Sequence, residues 1–79
     1  MEKYRGNEEN PFGLTERELD VLNHLMQGLT NREIADKLTI THHTVKAHVA
    51  SIIRKLEAKN RLDVAMIAQT HGIINLHQD

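Results

Sequence analysis

Two helix starts lie eleven residues apart in the middle of the chain, at Thr30 and Thr41. Glu33 follows Thr30 at the three-residue spacing at which a threonine hydroxyl and a carboxylate cap each other's backbone N–H groups. Thr41 ends a Thr-Ile-Thr segment, and threonine is a favoured N-cap residue. Only a short helix and a tight turn fit between the two starts, so the pattern predicts a helix-turn-helix unit.

The helix that begins beside Thr41 is expected to be amphipathic. Its apolar residues recur at three- and four-residue spacing and form one stripe that has to be buried. The stripe consists of Val45, Val49, Ile52, Ile53 and Leu56. The opposite side carries His43, Ala47, Ala50, Ser51 and Arg54, with Lys46 on one edge and Thr44, His48 and Lys55 on the other. This outer side is polar and contains no acidic residue.

Positive charge is concentrated in and just after this helix. Between residues 39 and 61 the chain has five basic residues and one acid, a balance of +4, although the whole chain carries −1. Lysine and arginine clustered in this way neutralise DNA phosphates and make the affinity depend on salt. Small alanines let a helix backbone approach the floor of the major groove, where a methyl group packs on thymine and a cation reaches a base acceptor.

We therefore assign two sets of DNA contacts. The residues expected to read base edges are His43, Lys46, Ala47 and Ala50. The residues expected to contact phosphate are Thr30, Asn31, Thr41, Thr44, His48, Arg54, Lys55 and Lys59. Tyr4 and Phe12 are the only aromatic residues of the chain, whereas single strands are usually bound by stacking bases on aromatic side chains. The expected partner is double-stranded DNA.

Length and composition predict one small domain. A chain of 79 residues is too short to divide. It has no cysteine for a disulfide or a cysteine zinc site, and no apolar run of roughly 18 residues, so we expect a cytoplasmic protein with no membrane association. No catalytic arrangement or phosphate loop is present, and neither a cofactor nor enzymatic activity is expected. We expect a flexible arm or linker at 1–13, the DNA-binding domain at 14–76 and a tail at 77–79.

Three further helices complete an all-α, four-helix domain. The first begins beside Thr15, which pairs with Glu18 in the same capping pattern, and ends near Gly28. The second covers roughly residues 31–38, and its inward residues are Ile34, Ala35 and Leu38. The fourth begins at Asn60 and ends before Gly72.

The fourth helix carries more apolar surface than one core stripe requires, because six of the seven residues from 62 to 68 are apolar. An excess of this kind suggests a partner. Val64, Ile67 and His71 share one stripe, and we assign this stripe to a homodimer contact. The alternative is a fully buried helix in a monomer, with the tail residues Ile73, Ile74 and Leu76 folded over it.

Several fragments occur in an order and at intervals that resemble the DNA-binding domain of the LuxR/FixJ/GerE family of bacterial transcription regulators. They are LTEREL at 14–19, GLTNREIA at 28–35, TVKAHV at 44–49, KL at 55–56 and NR at 60–61. The similar region spans about residues 14–74. Several fragments in the right order are far more specific than any one of them.

The resemblance implies a four-helix domain whose third helix lies in the major groove and whose fourth helix forms a two-fold dimer on an inverted repeat. It places groove contacts at Lys46, Ala47 and Ala50, and it implies a structural ion pair between Glu33 and Arg61. Some relatives carry a basic residue at the position of Ala50, so the preferred DNA site is expected to differ from theirs. Family members are usually output modules behind a phosphorylated receiver or a small-molecule sensor, and RNA polymerase is a further candidate partner. We expect a fragment of such a protein; a free-standing small regulator is the alternative.

Other classes of protein are less consistent with the sequence. A sigma-factor-like promoter recognition module also uses a capped helix-turn-helix, but its recognition helix lies close to the chain end, whereas a long apolar helix follows here. A metal or catalytic site on His42, His43 and His48 is disfavoured, because their spacing does not bring three imidazoles to one helical face. A helical module whose basic side docks an acidic protein is a third alternative.

Overall fold

The computed structural model describes residues 12–73, and within this range the chain forms four α-helices and no strand. The helices are α1 (Glu16–Met26), α2 (Asn31–Leu38), α3 (His42–Leu56) and α4 (Arg61–His71). The predicted all-α, four-helix architecture is confirmed. Residues 1–11 of the predicted arm (1–13), the predicted tail (77–79) and the segment 74–76 with Ile74 and Leu76 lie outside the described residues.

Each helix begins at a side-chain cap that the sequence pattern predicted. Thr15 and Thr30 form complete capping boxes with the glutamates three residues later, and Thr41 accepts a hydrogen bond from the backbone N–H of Thr44. Asn60 caps α4 in the same way by accepting from the N–H of Asp63. Because these caps satisfy otherwise unpaired backbone donors, the four helix starts are specified locally.

The helix ends also share one device. In each, the backbone N–H of an apolar residue just past the helix bonds to the carbonyl five residues earlier, which closes the last turn. The four apolar residues are Leu29, Ile40, Ala58 and Ile73, at N···O distances of 3.0–3.3 Å. All four side chains also belong to the core or pack against it. The same residue therefore ends a helix and attaches the following chain to the core.

The core is built around α3. Its stripe of Val45, Val49, Ile52 and Leu56 is buried, as predicted, and Ile53 is half-buried. Helices α1, α2 and α4 all pack on α3. In contrast, no Cα atom of α2 lies within 8 Å of one in α4. Three helices thus pack against α3, and its remaining side is exposed to solvent.

Helix α2 presents the inner residues that the sequence indicated. Ile34 and Ala35 are buried, and Leu38 is half-buried against the core. A turn of three residues, Thr39 to Thr41, then joins α2 to α3. These features define a helix-turn-helix, with α2 as its first helix and α3 as its second.

The turn between the two helices contains a strained residue. Thr39 is the C-cap of α2 and lies in the left-handed region at φ 58° and ψ 47°. A β-branched side chain is unfavourable there, whereas asparagine adopts this conformation readily.

Replacing Thr39 by Asn should therefore raise the free energy of unfolding by about 1 kcal/mol, because it relieves backbone strain at an exposed position. Urea denaturation followed by circular dichroism measures this change. Thr70→Asn is the matched control, since Thr70 is exposed within the right-handed turns of α4 and should show no gain. A Thr39→Asn protein no more stable than the wild type would show that the turn stores no strain.

Candidate nucleic-acid interface

The side of α3 that faces away from the core is open to solvent. It carries the four residues predicted to read bases, His43, Lys46, Ala47 and Ala50, and all four are exposed. We call these four residues the recognition face. The face has two cationic or ionisable side chains beside two methyl groups. Within residues 12–73, no described hydrogen bond or ion pair engages the side chain of Lys46 or His43.

The residues predicted to contact phosphate fall into two groups. Thr41 and Thr44 lie at the start of α3, where their hydroxyl oxygens are 2.8 Å apart, and Thr30 and Asn31 lie at the start of α2. Arg54 is exposed near the end of α3, Lys59 is exposed just beyond it, and His48 is half-buried on the side of α3. Thr30 uses its side chain for helix capping, and the Thr41 hydroxyl bonds to that of Thr44 as well as capping α3. Within residues 12–73, the side chains of His48 and Lys59 have no described polar partner.

An open depression of about 500 Å³ lies between the starts of α2 and α3. Arg32 and His42 line it together with Arg61 from the start of α4, and the remaining lining residues are Gly28, Leu29, Thr30 and Asn31. The lining contains two arginines and one histidine and no acidic residue. This makes the depression a suitable place for an anionic group.

Lys55 has a different position from the one predicted. Its ammonium lies 2.8 Å from Oε1 of Glu18 on α1 and 3.3 Å from the carbonyl oxygen of Gly13. The prediction of a phosphate contact is not supported by this geometry, because the cation is held inward by a buried carboxylate. A side chain can have the right spacing on a helix and still bend toward a neighbouring helix.

Glu18 is the polar centre of the α1–α3 contact, a role that the sequence analysis missed. One carboxylate oxygen accepts from Lys55 and from the backbone N–H of Thr15, and the other accepts from the hydroxyl of Ser51 at 2.6 Å. Glu18 is only 5% exposed. Glu18 lies four residues before Leu22 and seven before Leu25, so it falls on the apolar stripe of α1. An acid on an apolar stripe is the sequence feature from which a buried role could have been predicted.

The environment of Glu18 strongly favours its ionised form. Burial by itself raises the pKa of the carboxyl, but hydrogen bonds from Lys55, Ser51 and the backbone of Thr15, with the Lys55 charge, outweigh burial and lower the pKa from 4.5 to about 2. Glu18 is therefore ionised at physiological pH, and its ion pair with Lys55 connects α1 to α3.

The Glu18 network also reaches the outer side of α3. The Ser51 hydroxyl donates a hydrogen bond to Glu18, and its oxygen accepts one from Arg54 at 3.3 Å. Arg54 is exposed and lies along α3 in the same direction as Ala47 and Ala50. The network thus links a buried carboxylate to a cation at the end of the recognition face.

The predicted dimer stripe on α4 needs correction. Val64 has no exposed surface and belongs to the core, and Ile67 is half-buried against the core. The ring of His71 makes an edge-to-face contact with Phe12, with centroids 5.2 Å apart. Val64 therefore cannot contact a partner, because α1 and α3 already cover this side of α4.

The exposed apolar residues of α4 belong to a different side of the helix. Leu62 is 71% exposed and Met66 is 58% exposed, and their four-residue spacing places them one turn apart. The apolar excess noted in the sequence is real. The packing of the helices leaves this excess on the side of α4 that carries Leu62 and Met66. We call this exposed side the α4 apolar face.

The predicted ion pair between Glu33 and Arg61 is absent from the described part of the chain. The Glu33 carboxylate accepts from the backbone N–H of Thr30 at 2.8 Å in its capping box. Arg61 instead donates to Oδ1 of Asn31 and, at 2.8 Å, to the carbonyl oxygen of Leu29. Arg61 does connect the start of α4 with the start of α2, as predicted, but through neutral acceptors.

Two further findings concern other possible sites. Within residues 12–73, no three histidine, aspartate or glutamate side chains are grouped so as to hold a metal ion. None of the four described helices has the length and apolar character needed to cross a bilayer.

An all-α domain with a capped helix-turn-helix, whose second helix has an exposed and acid-free outer side, has the architecture of a DNA-binding transcription regulator. The chain matches the family model for bacterial regulatory proteins of the luxR family over residues 13–68. It belongs to this family of DNA-binding regulators, as the sequence resemblance indicated.

Individual relatives agree with this assignment. The chain is 49% identical over 63 residues to the nitrate/nitrite response regulator protein NarP of Escherichia coli, a match that covers 78% of this chain and 29% of that protein. It is 50% identical over 60 residues to the transcriptional regulatory protein LnrK of Bacillus subtilis, covering 76% and 27% respectively. For the response regulator protein VraR of Staphylococcus aureus, identity is 43% over 61 residues, covering 77% and 29%. The chain spans less than a third of the length of these relatives.

The Glu18 network predicts how stability depends on pH. Since the folded-state pKa of Glu18 is about 2, below its ordinary 4.5, the ionised carboxylate stabilises the fold above pH 4.5, and this contribution is lost as the pH falls toward 2. Glu18→Gln should lower the free energy of unfolding at pH 7 by on the order of 3 kcal/mol and flatten its dependence between pH 4.5 and 2. Urea denaturation at a series of pH values measures both effects.

Glu16→Gln is the control for this prediction, because Glu16 is an exposed carboxylate in the same first turn of α1. Its stability should stay close to that of the wild type. If Glu18→Gln kept the full acid sensitivity of the wild type, the lowered pKa of Glu18 would not be what links stability to pH.

Proposed function

We propose that this domain binds specific sequences of double-stranded DNA by inserting α3 into the major groove. The single observation that carries the proposal is the recognition face, four exposed residues on a helix whose opposite side is buried by three other helices. A helix held in this way presents its outer side as a rigid surface. Family membership supports the same function.

The chemistry of the recognition face suits base edges. Lys46 and His43 can donate to the N7 and O6 acceptors of guanine, and the methyl groups of Ala47 and Ala50 can pack on the methyl group of thymine. Because the two alanine side chains are small, the helix backbone can also approach the floor of the major groove. No acidic side chain lies on this face to repel phosphate.

Phosphate contacts are proposed on both sides of the groove. The starts of α2 and α3 supply Thr30, Asn31, Thr41 and Thr44, and the other end of α3 supplies Arg54 and Lys59, with His48 between them. Helix starts suit anions because their unpaired N–H groups and dipoles favour negative charge. Contacts of this kind position a domain on the duplex without reading its sequence.

We further propose that two copies bind an inverted repeat through the α4 apolar face. Leu62 and Met66 are the large apolar side chains that remain exposed within residues 12–73, and a two-fold axis would bring the same face of a second copy against them. Leu62 and Met66, and not the buried Val64, would then form the contact between the two copies on a symmetric DNA site. By analogy with relatives named as response regulators, the domain would be the output module of a longer regulator.

The recognition assignment predicts the effect of two substitutions. On a duplex selected from random sequences, Lys46→Ala and Ala47→Glu should each weaken specific binding by roughly 1–3 kcal/mol, the scale of a lost or blocked base contact. A mobility-shift titration measures this, and circular dichroism should show unchanged helix content. Arg17→Ala is the control, because it removes one positive charge from the exposed side of α1. If the wild type and the three variants bound the duplex with equal affinity, the placement of α3 in the major groove would be wrong.

The dimer assignment predicts a loss of cooperativity. Leu62→Gln with Met66→Gln should reduce affinity for the full inverted repeat by roughly tenfold and leave affinity for a single half-site unchanged, because only the contact between copies is lost. Val64→Ala should show the reverse pattern, with lower thermal stability from a core cavity and intact cooperativity among folded molecules. Cooperative binding by the double variant would place the contact between copies elsewhere.

A further inference from the structure

Arg61 connects two helices whose backbones do not approach each other. It is the first residue of α4, and its guanidinium donates to Oδ1 of Asn31, the first residue of α2, and to the carbonyl oxygen of Leu29 just before α2. Helices α2 and α4 make no direct backbone approach. The planar fork of Arg61 therefore sets the position of the α2 start relative to α4.

The contact also determines which way the Asn31 side chain faces. A guanidinium has only donors, so the amide of Asn31 must turn its oxygen toward Arg61. The amide nitrogen then points away with two N–H groups to donate. Within residues 12–73 no hydrogen bond from this nitrogen occurs, and Asn31 lines the open depression together with Arg32 and His42.

Arginine is needed for this arrangement, and positive charge alone is insufficient. The two acceptors, an amide oxygen and a backbone carbonyl oxygen, are held by two nitrogens of one rigid plane. A lysine ammonium on a flexible stem would keep the charge without fixing both acceptors. Arg61 is half-buried, so its orientation is also constrained by packing.

We propose that Arg61 is a positioning residue for DNA binding, which orients Asn31 so that its amide nitrogen donates to one DNA phosphate seated in the depression. This inference rests on the proposed DNA-binding function, and it assigns the donor atom of the Asn31 phosphate contact and the residue that orients it. Arg61 acts through Asn31, so the two residues form one functional unit. Substituting either should remove the same contact.

The test uses a duplex selected from random sequences, with each phosphate near the start of α2 replaced singly by an uncharged methylphosphonate. For the wild-type chain, one replacement should weaken binding by roughly threefold to tenfold through loss of the Asn31 hydrogen bond. In Asn31→Ala and in Arg61→Lys, the same replacement should have no further effect. The double variant should bind as weakly as either single variant, because both changes remove one contact.

A second readout separates positioning from structural support. The side-chain amide resonance of Asn31 should shift on addition of the duplex in the wild type and stay unchanged in Arg61→Lys, while thermal unfolding reports whether that variant folds. Arg61→Gln, whose single amide nitrogen cannot hold both acceptors as two guanidinium nitrogens do, serves as the second variant should Arg61→Lys unfold. Arg17→Lys is the control, because Arg17 lies on the surface of α1, outside the proposed DNA contacts, and this variant should keep the Asn31 phosphate effect.

The outcomes are distinct. A phosphate effect that disappears in Asn31→Ala but persists in folded Arg61 variants would overturn the positioning role. The absence of any phosphate whose effect depends on Asn31, in a protein that still binds the duplex and still loses affinity with Lys46→Ala, would overturn the contact itself. A wild-type chain that selects no duplex would overturn the proposed function instead.

Discussion

Val45 and Ile52 on α3 have no exposed surface, because α1, α2 and α4 all pack on the same helix. Burial of each such side chain stabilises the fold by roughly 1.5–3 kcal/mol, far more than a surface ion pair such as Arg17 and Asp20, 3.8 Å apart. Burial of this one stripe therefore determines the orientation of α3. Once the stripe is inside, the recognition face is necessarily outside.

The contact between α1 and α3 also contains a buried charge. Glu18 meets Lys55 and Ser51 within an otherwise apolar interface, and a buried carboxylate is tolerated only when its oxygens are paired. The Lys55 ammonium is thus directed at Glu18, whereas Arg54 and Lys59 are exposed at that end of α3. The electrostatics of the domain thus differ from a simple count of its basic residues.

Helix α4 contributes to the molecule in three ways. Val64 and Ala68 complete the core, Arg61 reaches back to the start of α2, and Leu62 and Met66 remain in solvent. If the α4 apolar face pairs two copies, Arg61, which orients the proposed phosphate donor Asn31, directly precedes Leu62 of that interface. A two-fold arrangement of two domains would then set the spacing of both their recognition faces and their phosphate contacts.

The amino-acid sequence by itself determined the features that depend on neighbours along the chain. The caps at Thr15, Thr30, Thr41 and Asn60, the four helix ranges and the buried stripe of α3 all follow from spacings of three to five residues, and the structure has each of them. Only the tertiary structure decided contacts between residues some thirty or more positions apart. Glu18 pairs with Lys55, Arg61 takes Asn31 instead of Glu33, and Val64 rather than Leu62 faces inward. Periodicity shows that a helix has more than one apolar side, or that it carries a cation. Which residue each of these side chains contacts depends on how the helices pack against one another.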